Sequence, residues 1–88
     1  MKAFDIVLTG TVQGVGFRYY TRMAANRLRV SGWVRNCPDG SVLIHCEGEA
    51  EALEQFLTAV RQGPAGAEVS GFEVREGSVA FHYGFEIH

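Results

Sequence analysis

The 88-residue sequence has no long hydrophobic run and contains only two cysteines. No window approaches the roughly eighteen uninterrupted apolar residues of a membrane-spanning helix, so a transmembrane helix is excluded. The length excludes a two-domain enzyme and a dinucleotide-binding fold, and it predicts a single domain over residues 1–88. The N-terminal residues lack the apolar segment and cleavage site of a secretory signal, so we expect a cytoplasmic protein.

The two cysteines, Cys37 and Cys46, form neither a Cys-x-x-Cys pair nor a zinc-finger spacing with a histidine. If they flank a hairpin that turns near residues 38–40, Cys46 faces a residue near Gly32, about five positions from Cys37. Five strand residues span roughly 16 Å, whereas a disulfide requires Cα atoms within about 7 Å. We therefore expect packing cysteines, no disulfide and no metal site.

Acidic residues are absent between Asp5 and Asp39. The interval holds five arginines, which are Arg18, Arg22, Arg27, Arg29 and Arg35. Residues 1–38 therefore carry six bases and one acid, or +5, and residues 39–88 carry two bases and nine acids, or −7. The basic half favours a local site for a small anion, although arginines that simply solvate a helix would give the same pattern. A nucleic-acid-binding domain is usually basic throughout.

Hydrophobic periodicity predicts the order strand, helix, strand, strand, helix, strand, with a short strand pair at the C-terminus. The predicted strands cover residues 4–12, 30–37, 42–47, 67–76 and 79–87. This order is the ferredoxin-like α+β arrangement, a βαββαβ sandwich with two helices packed on one face of an antiparallel sheet. Because this fold hosts many unrelated activities, it does not identify the chemistry.

Apolar residues at helical spacing mark the inner faces of both predicted helices. In the first helix these residues are Tyr20, Ala24 and Leu28, with Met23 beside them. The second helix covers residues 49–62, with Gly48 as its N-cap and an apolar stripe formed by Leu53, Phe56, Leu57 and Val60. The final strand alternates through Phe81, Tyr83, Phe85 and Ile87, which predicts aromatic side chains in the core.

A glycine-rich segment, GTVQGVGFR, joins the first strand to the first helix at residues 10–18. Gly14 and Gly16 allow positive φ and let the backbone turn its N–H groups inward, which forms a concave nest for an anion. The positive end of the helix dipole lies at the same place, and Arg18 can offer a planar fork of donors to phosphate oxygens. The segment therefore predicts a phosphate cradle.

Two familiar phosphate motifs do not fit this segment. A P-loop needs Gly-Lys-Ser/Thr at its end, but here Gly16 leads into Phe17 and Arg18. A Gly-x-Gly-x-x-Gly motif that starts at Gly14 fails because Tyr19 occupies the position of the third glycine. On local physics alone, a tight turn followed by a solvated arginine remains the simpler explanation.

Two separate segments of the chain resemble the signature stretches of the acylphosphatase family. They are GTVQGVGFR at residues 10–18 and GWVRNCPDGSV at residues 32–42. The resemblance covers nearly the whole chain, because the length, the element order and the aromatic C-terminal strand agree as well. It implies a ferredoxin-like enzyme that hydrolyses the carboxyl–phosphate bond of acyl phosphates to a carboxylate and inorganic phosphate, without a metal or cofactor.

The resemblance also implies roles for individual residues. Arg18 matches the phosphate-binding arginine of the family, and Asn36 matches the asparagine that holds the attacking water. The implied substrate-binding loop consists of Val12, Gln13, Gly14, Val15, Gly16, Phe17 and Arg18. One departure is Arg29, which stands where the family commonly has a glycine, and a left-handed conformation there would cost about 1 kcal/mol.

No paired carboxylates, Ser-His-Asp set or Cys-His pair emerges from the sequence. Acyl phosphate hydrolysis needs none of these, because its leaving group is a carboxylate, a weak base. Phosphoryl transfer depends mainly on positioning and on stabilising charge over the equatorial oxygens. We expect a monomer that binds a small acyl phosphate, with inorganic phosphate as product and inhibitor, and that binds no nucleic acid and no membrane.

Two alternatives remain at this point. The first is an RNA-binding module that stacks bases on Phe81, Tyr83 and Phe85, but the acidic C-terminal half and the sequence pI near 5.8 oppose it. The second is an idle or regulatory acylphosphatase-like domain, of the kind found at the start of hydrogenase maturation proteins. The chain ends at residue 88 without a zinc-finger segment, which favours a stand-alone enzyme.

The remaining aromatic and imidazole side chains are expected to be structural. Trp33 is predicted to pack against the sheet, although it could also form a platform for substrate. His45, His82 and His88 are predicted to be surface residues that bind no metal.

Overall fold

The computed structural model describes residues 1–88 and has two helices packed on a five-stranded sheet. The strands are β1 (Lys2–Thr11), β2 (Ser31–Asn36), β3 (Val42–Gly48), β4 (Glu68–Glu76) and β5 (Phe85–Ile87), and the helices are α1 (Phe17–Leu28) and α2 (Ala50–Gln62). Across the sheet the strands lie in the order β4-β1-β3-β2-β5. The predicted ferredoxin-like βαββαβ arrangement is confirmed. Neither helix is both long enough and apolar enough to cross a membrane.

The C-terminal strands differ from the prediction in length and in pairing. Only Phe85–Ile87 forms a strand, and this strand pairs in parallel with β2, so the sheet is mixed rather than wholly antiparallel. β4 and β5 are not a strand pair but the two opposite edges of the sheet. Four spacings of about 4.8 Å separate these edges, so residues 77–84 must run across the sheet instead of along it.

The aromatic alternation in the C-terminal segment therefore misled the core prediction. Phe81 has a φ of 56° and is 78% exposed, and Tyr83 is fully exposed. Phe85 alone of the three aromatic residues is buried, and its ring lies 6.0 Å from that of Phe56. The alternation of apolar residues over 79–87 predicted a strand correctly only at Phe85–Ile87, where β2 is available as a partner.

The hydrophobic core lies between the sheet and the two helices. Alternate residues of the central strands face it, among them Ile6, Leu8, Val34, Val42, Ile44 and Cys46. The predicted stripe of α2 is confirmed, because Leu53, Phe56 and Val60 are fully buried and Leu57 packs against them. The N-cap of this helix is Glu49 rather than the predicted Gly48.

Helix α1 buries a face that differs slightly from the predicted one. Its buried residues are Phe17, Thr21, Ala24 and Ala25. Tyr20 is half-buried and donates a hydrogen bond of 2.9 Å to the main-chain oxygen of Ala59 in α2. The prediction for Met23 is wrong, since this side chain is exposed. Two residues of helix rotate a side chain by about 200°, so Met23 points away from the face of Thr21.

Arg29 ends α1 in the left-handed conformation, with φ 59° and ψ 44°, at the position where the related family commonly has a glycine. Its amide donates to the carbonyl of Ala25. Any side chain costs about 1 kcal/mol in this conformation relative to glycine. Because Arg29 lies at the C-terminal end of the helix, this cost affects stability and not the loop that precedes α1.

The two cysteines are free, and Cys46 pairs across the sheet with Gly32 as expected. Cys46 is fully buried in the core, which confirms its packing role. Burial raises the pKa of its thiol to about 12. Cys37 is half-buried in the turn between β2 and β3.

Candidate active site

A pocket of about 220 Å³ opens where the segment between β1 and α1 meets the end of β2. Its walls include Val12, Gly14, Gly16, Phe17 and Arg18 from the predicted phosphate-binding segment. Asn36 from β2 also lines it, although this residue is eighteen positions from Arg18 in the sequence. Tyr19 and Ile87 complete the lining. Neither Tyr19 nor Ile87 was predicted as a site residue, and no local signal in the sequence indicates that Ile87 reaches the pocket.

The loop from Val12 to Gly16 has a backbone conformation that requires glycine. Gly14 and Gly16 have φ values of 76° and 78°, and Gly16 is the left-handed N-cap of α1. A Cβ atom at either position would meet nothing within 4 Å, so the backbone angle rather than lack of space accounts for glycine here. Val12 and Phe17 are buried in the core on either side of the glycines and anchor both ends of the loop.

The four amides from Gln13 to Gly16 donate to no backbone or side-chain acceptor of the protein. They directly precede α1, whose N-terminal end carries the positive pole of the helix dipole. Clustered N–H donors at a helix N-terminus form a binding site for phosphate or a similar anion. The loop is therefore chemically suited to hold a phosphoryl group.

The side chain of Gln13 ties this loop to the neighbouring turn. Its Nε2 atom donates to the main-chain oxygens of Cys37, at 2.8 Å, and Ser41, at 2.9 Å. Gln13 was predicted to be a substrate-binding residue, but these bonds leave its main-chain amide as the donor available to an anion. The partners lie 24 and 28 positions away, so the sequence carried no signal for this contact.

The turn between β2 and β3, which accepts the hydrogen bonds from Gln13, is stabilised by hydrogen bonds within the turn. The amide of Cys37 donates to the Ser41 carbonyl at 2.8 Å, and the amide of Gly40 donates to the Cys37 carbonyl at 3.0 Å. Asp39 Oδ1 accepts from the Ser41 hydroxyl at 2.6 Å and from its amide at 2.9 Å. These hydrogen bonds hold the pKa of the Asp39 carboxyl below its ordinary value. The network gives the end of β2 a defined position.

Asn36 is the last residue of β2 and pairs with Val42 of β3. Its Oδ1 atom is buried and accepts no hydrogen bond from the protein. Leaving a buried acceptor unpaired costs about 1–3 kcal/mol, so natural proteins rarely retain one without a function. Because Asn36 lines the pocket, its side-chain amide is a candidate partner for a bound molecule once a rotation of the amide exposes Oδ1, which is closed to solvent in this conformation.

Arg18 is the second residue of α1, and its guanidinium makes a single hydrogen bond to the protein. Nη1 donates to the main-chain oxygen of His88 at 3.1 Å. No Asp or Glu side chain lies within ion-pair distance of Arg18. The positive charge at the pocket is therefore not neutralised by an acidic side chain, and most of the guanidinium donors remain available to an anion.

A second polar cluster lies on the sheet face opposite the helices. His45 Nδ1 is 2.7 Å from Asp5 Oδ1, and His45 Nε2 is 2.7 Å from Glu47 Oε2. Glu47 is fully buried and also accepts hydrogen bonds from the amides of Ala80, at 2.6 Å, and His82, at 3.0 Å. The prediction that His45 is a surface residue is wrong, since it is only 7% exposed. The cluster ties residues 77–84 to β3.

The cluster forms an ion triad around the imidazole. Burial disfavours the charged imidazole, but hydrogen bonds and charges of Glu47 and Asp5 outweigh burial and raise the pKa of His45. Burial likewise disfavours the Glu47 carboxylate, but hydrogen bonds from His45 and from two amides outweigh it and lower the pKa of Glu47. Ligand atoms of His45, Glu47 and His82 lie within 4.8 Å of one another, as in a metal site. Both imidazole nitrogens of His45, however, are already engaged by carboxylates.

Trp33 packs beside this triad on the same face of the sheet. Its ring stacks on that of His45, with centroids 6.0 Å apart, and on that of His88, with centroids 5.4 Å apart. Trp33 is half-buried and does not line the pocket near Arg18. These contacts agree with the packing role that the sequence favoured.

We expect the triad to make stability depend on pH. The contribution of His45 is complete below pH 6.5 and is lost as the pH rises through its raised folded-state pKa. The contribution of Glu47 is complete above pH 4.5 and is lost as the pH falls through its lowered folded-state pKa. The free energy of unfolding, measured by urea denaturation between pH 4 and 9, should therefore decline on the alkaline side.

The matched variant for this measurement is His45→Gln, which cannot become charged. We expect it to be less stable than the parent at weakly acidic pH and to lose the alkaline decline. His82→Gln, an exposed substitution that preserves the amide bonded to Glu47, should retain the parent profile. An alkaline decline of equal size in the parent and in His45→Gln would show that another group is responsible.

Comparisons with known proteins agree on one family. The family model described as Acylphosphatase matches residues 4–87. An acylphosphatase from Archaeoglobus fulgidus is 46% identical over 87 residues, which cover 99% of this chain and 98% of that protein. An acylphosphatase from Thermotoga maritima is 53% identical over 76 residues, which cover 86% of this chain and 84% of that protein.

Solved structures give the same result. The crystal structure of acylphosphatase from Bacillus subtilis matches with a TM-score of 0.97 and 40% identity, and the match covers 100% of this chain and 99% of that one. The crystal structure of T. kodakarensis HypF matches with a TM-score of 0.88 and 31% identity, but the match covers only 12% of that chain. This chain therefore agrees in length with the small acylphosphatase from Bacillus subtilis and not with the much longer HypF.

Proposed function

Since the chain belongs to the acylphosphatase family, we propose that it hydrolyses the carboxyl–phosphate bond of acyl phosphates to a carboxylate and inorganic phosphate. The observation that carries this proposal is the shared pocket of the glycine loop, Arg18 and Asn36. It combines anion donors with one buried neutral acceptor.

The phosphoryl group binds to the loop and to Arg18. The amides from Gln13 to Gly16 and the N-terminus of α1 surround its oxygens with donors, and the guanidinium of Arg18 adds a charge-assisted pair. In a loose transition state the negative charge spreads over the three equatorial oxygens. Donors that are already oriented toward these oxygens stabilise that charge without reorganisation.

The attacking water is held by Asn36. Its unpaired Oδ1 accepts a hydrogen bond from the water, which orients a lone pair of the water oxygen toward phosphorus. A neutral amide suits this position, because a carboxylate would repel the phosphate dianion. The new bond forms between the water oxygen and phosphorus while the bond to the carboxylate oxygen breaks. The carboxylate leaves with the bonding electron pair, and the water proton passes to a phosphate oxygen.

This mechanism requires neither a general acid nor a metal ion. The leaving carboxylate is a weak base, so it departs without protonation. The residues that line the pocket include no carboxylate, imidazole or thiol, which are the usual protein ligands of catalytic metals. A pH–rate profile that reveals an essential enzyme base near neutrality would contradict the transfer of the proton to phosphate.

A direct assay tests the function. Hydrolysis of benzoyl phosphate is followed by its ultraviolet absorbance, with and without EDTA, and with inorganic phosphate as a competitor. We expect turnover far above the spontaneous rate, no effect of the chelator, and a rise in KM without a change in kcat when phosphate is added. Turnover no faster than in buffer would refute the function, whereas inhibition by EDTA would refute only the metal-independent mechanism.

A further inference from the structure

Two apolar side chains of the pocket, Tyr19 and Ile87, have no part in the mechanism above. Tyr19 is the third residue of α1 and is 57% exposed, although it adjoins Arg18 in the sequence. Ile87 is half-buried in β5. The other apolar residues of the pocket, Val12 and Phe17, are buried in the core and present little surface to a ligand. Tyr19 and Ile87 therefore provide the accessible carbon surface of the pocket.

The chemistry of the reaction requires a second region beside the phosphate cradle. In an in-line displacement the acyl group leaves on the side of phosphorus opposite the attacking water. Asn36 occupies the water side in the proposed mechanism, and the loop and Arg18 surround the equatorial oxygens. Ile87 pairs with Val34, two residues before Asn36 on the neighbouring strand, so it lies near Asn36. This leaves Tyr19, on α1, as the wall available to the carbon atoms of the acyl group.

We propose that Tyr19 is the main wall of an acyl-group subsite and that the enzyme favours acyl phosphates with aromatic acyl groups. This inference rests on the proposed function. The half-exposed Tyr19 ring offers a flat apolar face, and a second ring stacks on such a face more favourably than a methyl group can. An acetyl group is too small to use this surface, so its hydrolysis depends on the phosphate cradle alone.

Arg22 positions the Tyr19 ring. Its guanidinium carbon lies 5.6 Å from the ring centroid, one helical turn after Tyr19. A cation over an aromatic face limits the orientations of the ring and so reduces the ordering needed when a ligand stacks on it. The same positive charge also attracts the carboxylate product as it forms.

Two substrates that differ only in the acyl group test the subsite. The measured quantity is kcat/KM for benzoyl phosphate divided by kcat/KM for acetyl phosphate. We expect Tyr19→Ala to lower this ratio about fivefold, mainly through a higher KM for benzoyl phosphate, and to change kcat/KM for acetyl phosphate by less than about twofold. Tyr19→Phe should keep the parent ratio, because the ring and not the hydroxyl forms the wall.

Tyr83→Ala is the matched control, because it removes a fully exposed tyrosine that does not line the pocket. It should leave kcat/KM unchanged for both benzoyl phosphate and acetyl phosphate. Circular dichroism melts of all variants establish that they are folded, and Tyr19→Leu replaces Tyr19→Ala if the latter unfolds.

The outcomes separate the two proposals. An active Tyr19 variant with an unchanged ratio, or with an equal loss for both substrates, would overturn the acyl subsite and leave the proposed function intact. Failure of the parent protein to hydrolyse either substrate would overturn the proposed function and the subsite with it.

Discussion

Replacing Arg18 with alanine is expected to lower kcat/KM for an acyl phosphate by about 100-fold or more. The substitution removes the charged donors that are proposed to contact the phosphoryl oxygens, and the loss of one such transition-state donor typically costs about 3 kcal/mol or more. Both KM and kcat should deteriorate, because the guanidinium binds the substrate as well as the transition state. Steady-state kinetics with benzoyl phosphate measures both constants.

The fold should survive this substitution. Arg18 makes one hydrogen bond, to the main-chain oxygen of His88, and no ion pair with an acidic side chain. Arg27→Ala is the matched control, because Arg27 is an exposed arginine of the same helix that does not line the pocket. It removes the same net charge and should change kcat/KM by less than about twofold. Equal losses in the two variants would assign the effect to the general potential of the basic half and not to a local contact.

Replacing Asn36 with alanine should lower kcat about 100-fold and change KM by only a few-fold. The amide is proposed to orient water, an interaction that contributes in the transition state and little to substrate binding. Asn36→Asp should raise KM as well, because its carboxylate would repel the phosphate. The comparison of these two variants separates the loss of the water acceptor from the introduction of charge.

The stability of Asn36→Ala gives an independent result. Because Oδ1 is buried without a protein partner, its removal should leave the free energy of unfolding unchanged or raise it by about 1–2 kcal/mol. Urea denaturation of the parent and the variant measures this difference. A variant that is folded and turns over as fast as the parent would eliminate the proposed role in holding water.

Local patterns predicted a large part of this fold because they describe physics confined to a few neighbouring residues. The stripe of α2 follows from the helical period, and the glycines of the loop follow from the steric limits on positive φ. These features depend little on what lies elsewhere in the chain.

The same logic failed where a neighbouring strand determined the outcome. Residues 79–84 alternate like a strand, but they cross from one edge of the sheet toward the other and have no strand to pair with. The burial of His45 was missed because its carboxylate partners include Asp5, forty positions away. An alternating pattern does not reveal which polar side chains will neutralise one another inside the protein.

In the candidate site, the glycine loop and Arg18 lie in one continuous segment, so local chemistry could identify this segment as suited to an anion. A tight turn with a solvated arginine explained the same residues more simply, and the family resemblance decided between the two. The family resemblance, and no local pattern, identified Asn36. The tertiary structure alone decided that Asn36 and Ile87 share a pocket with this loop, that Gln13 joins the loop to the turn after β2, and that Tyr19 faces the pocket. These contacts arise from strand order and register, which depend on how the whole core packs and not on any short stretch of chain.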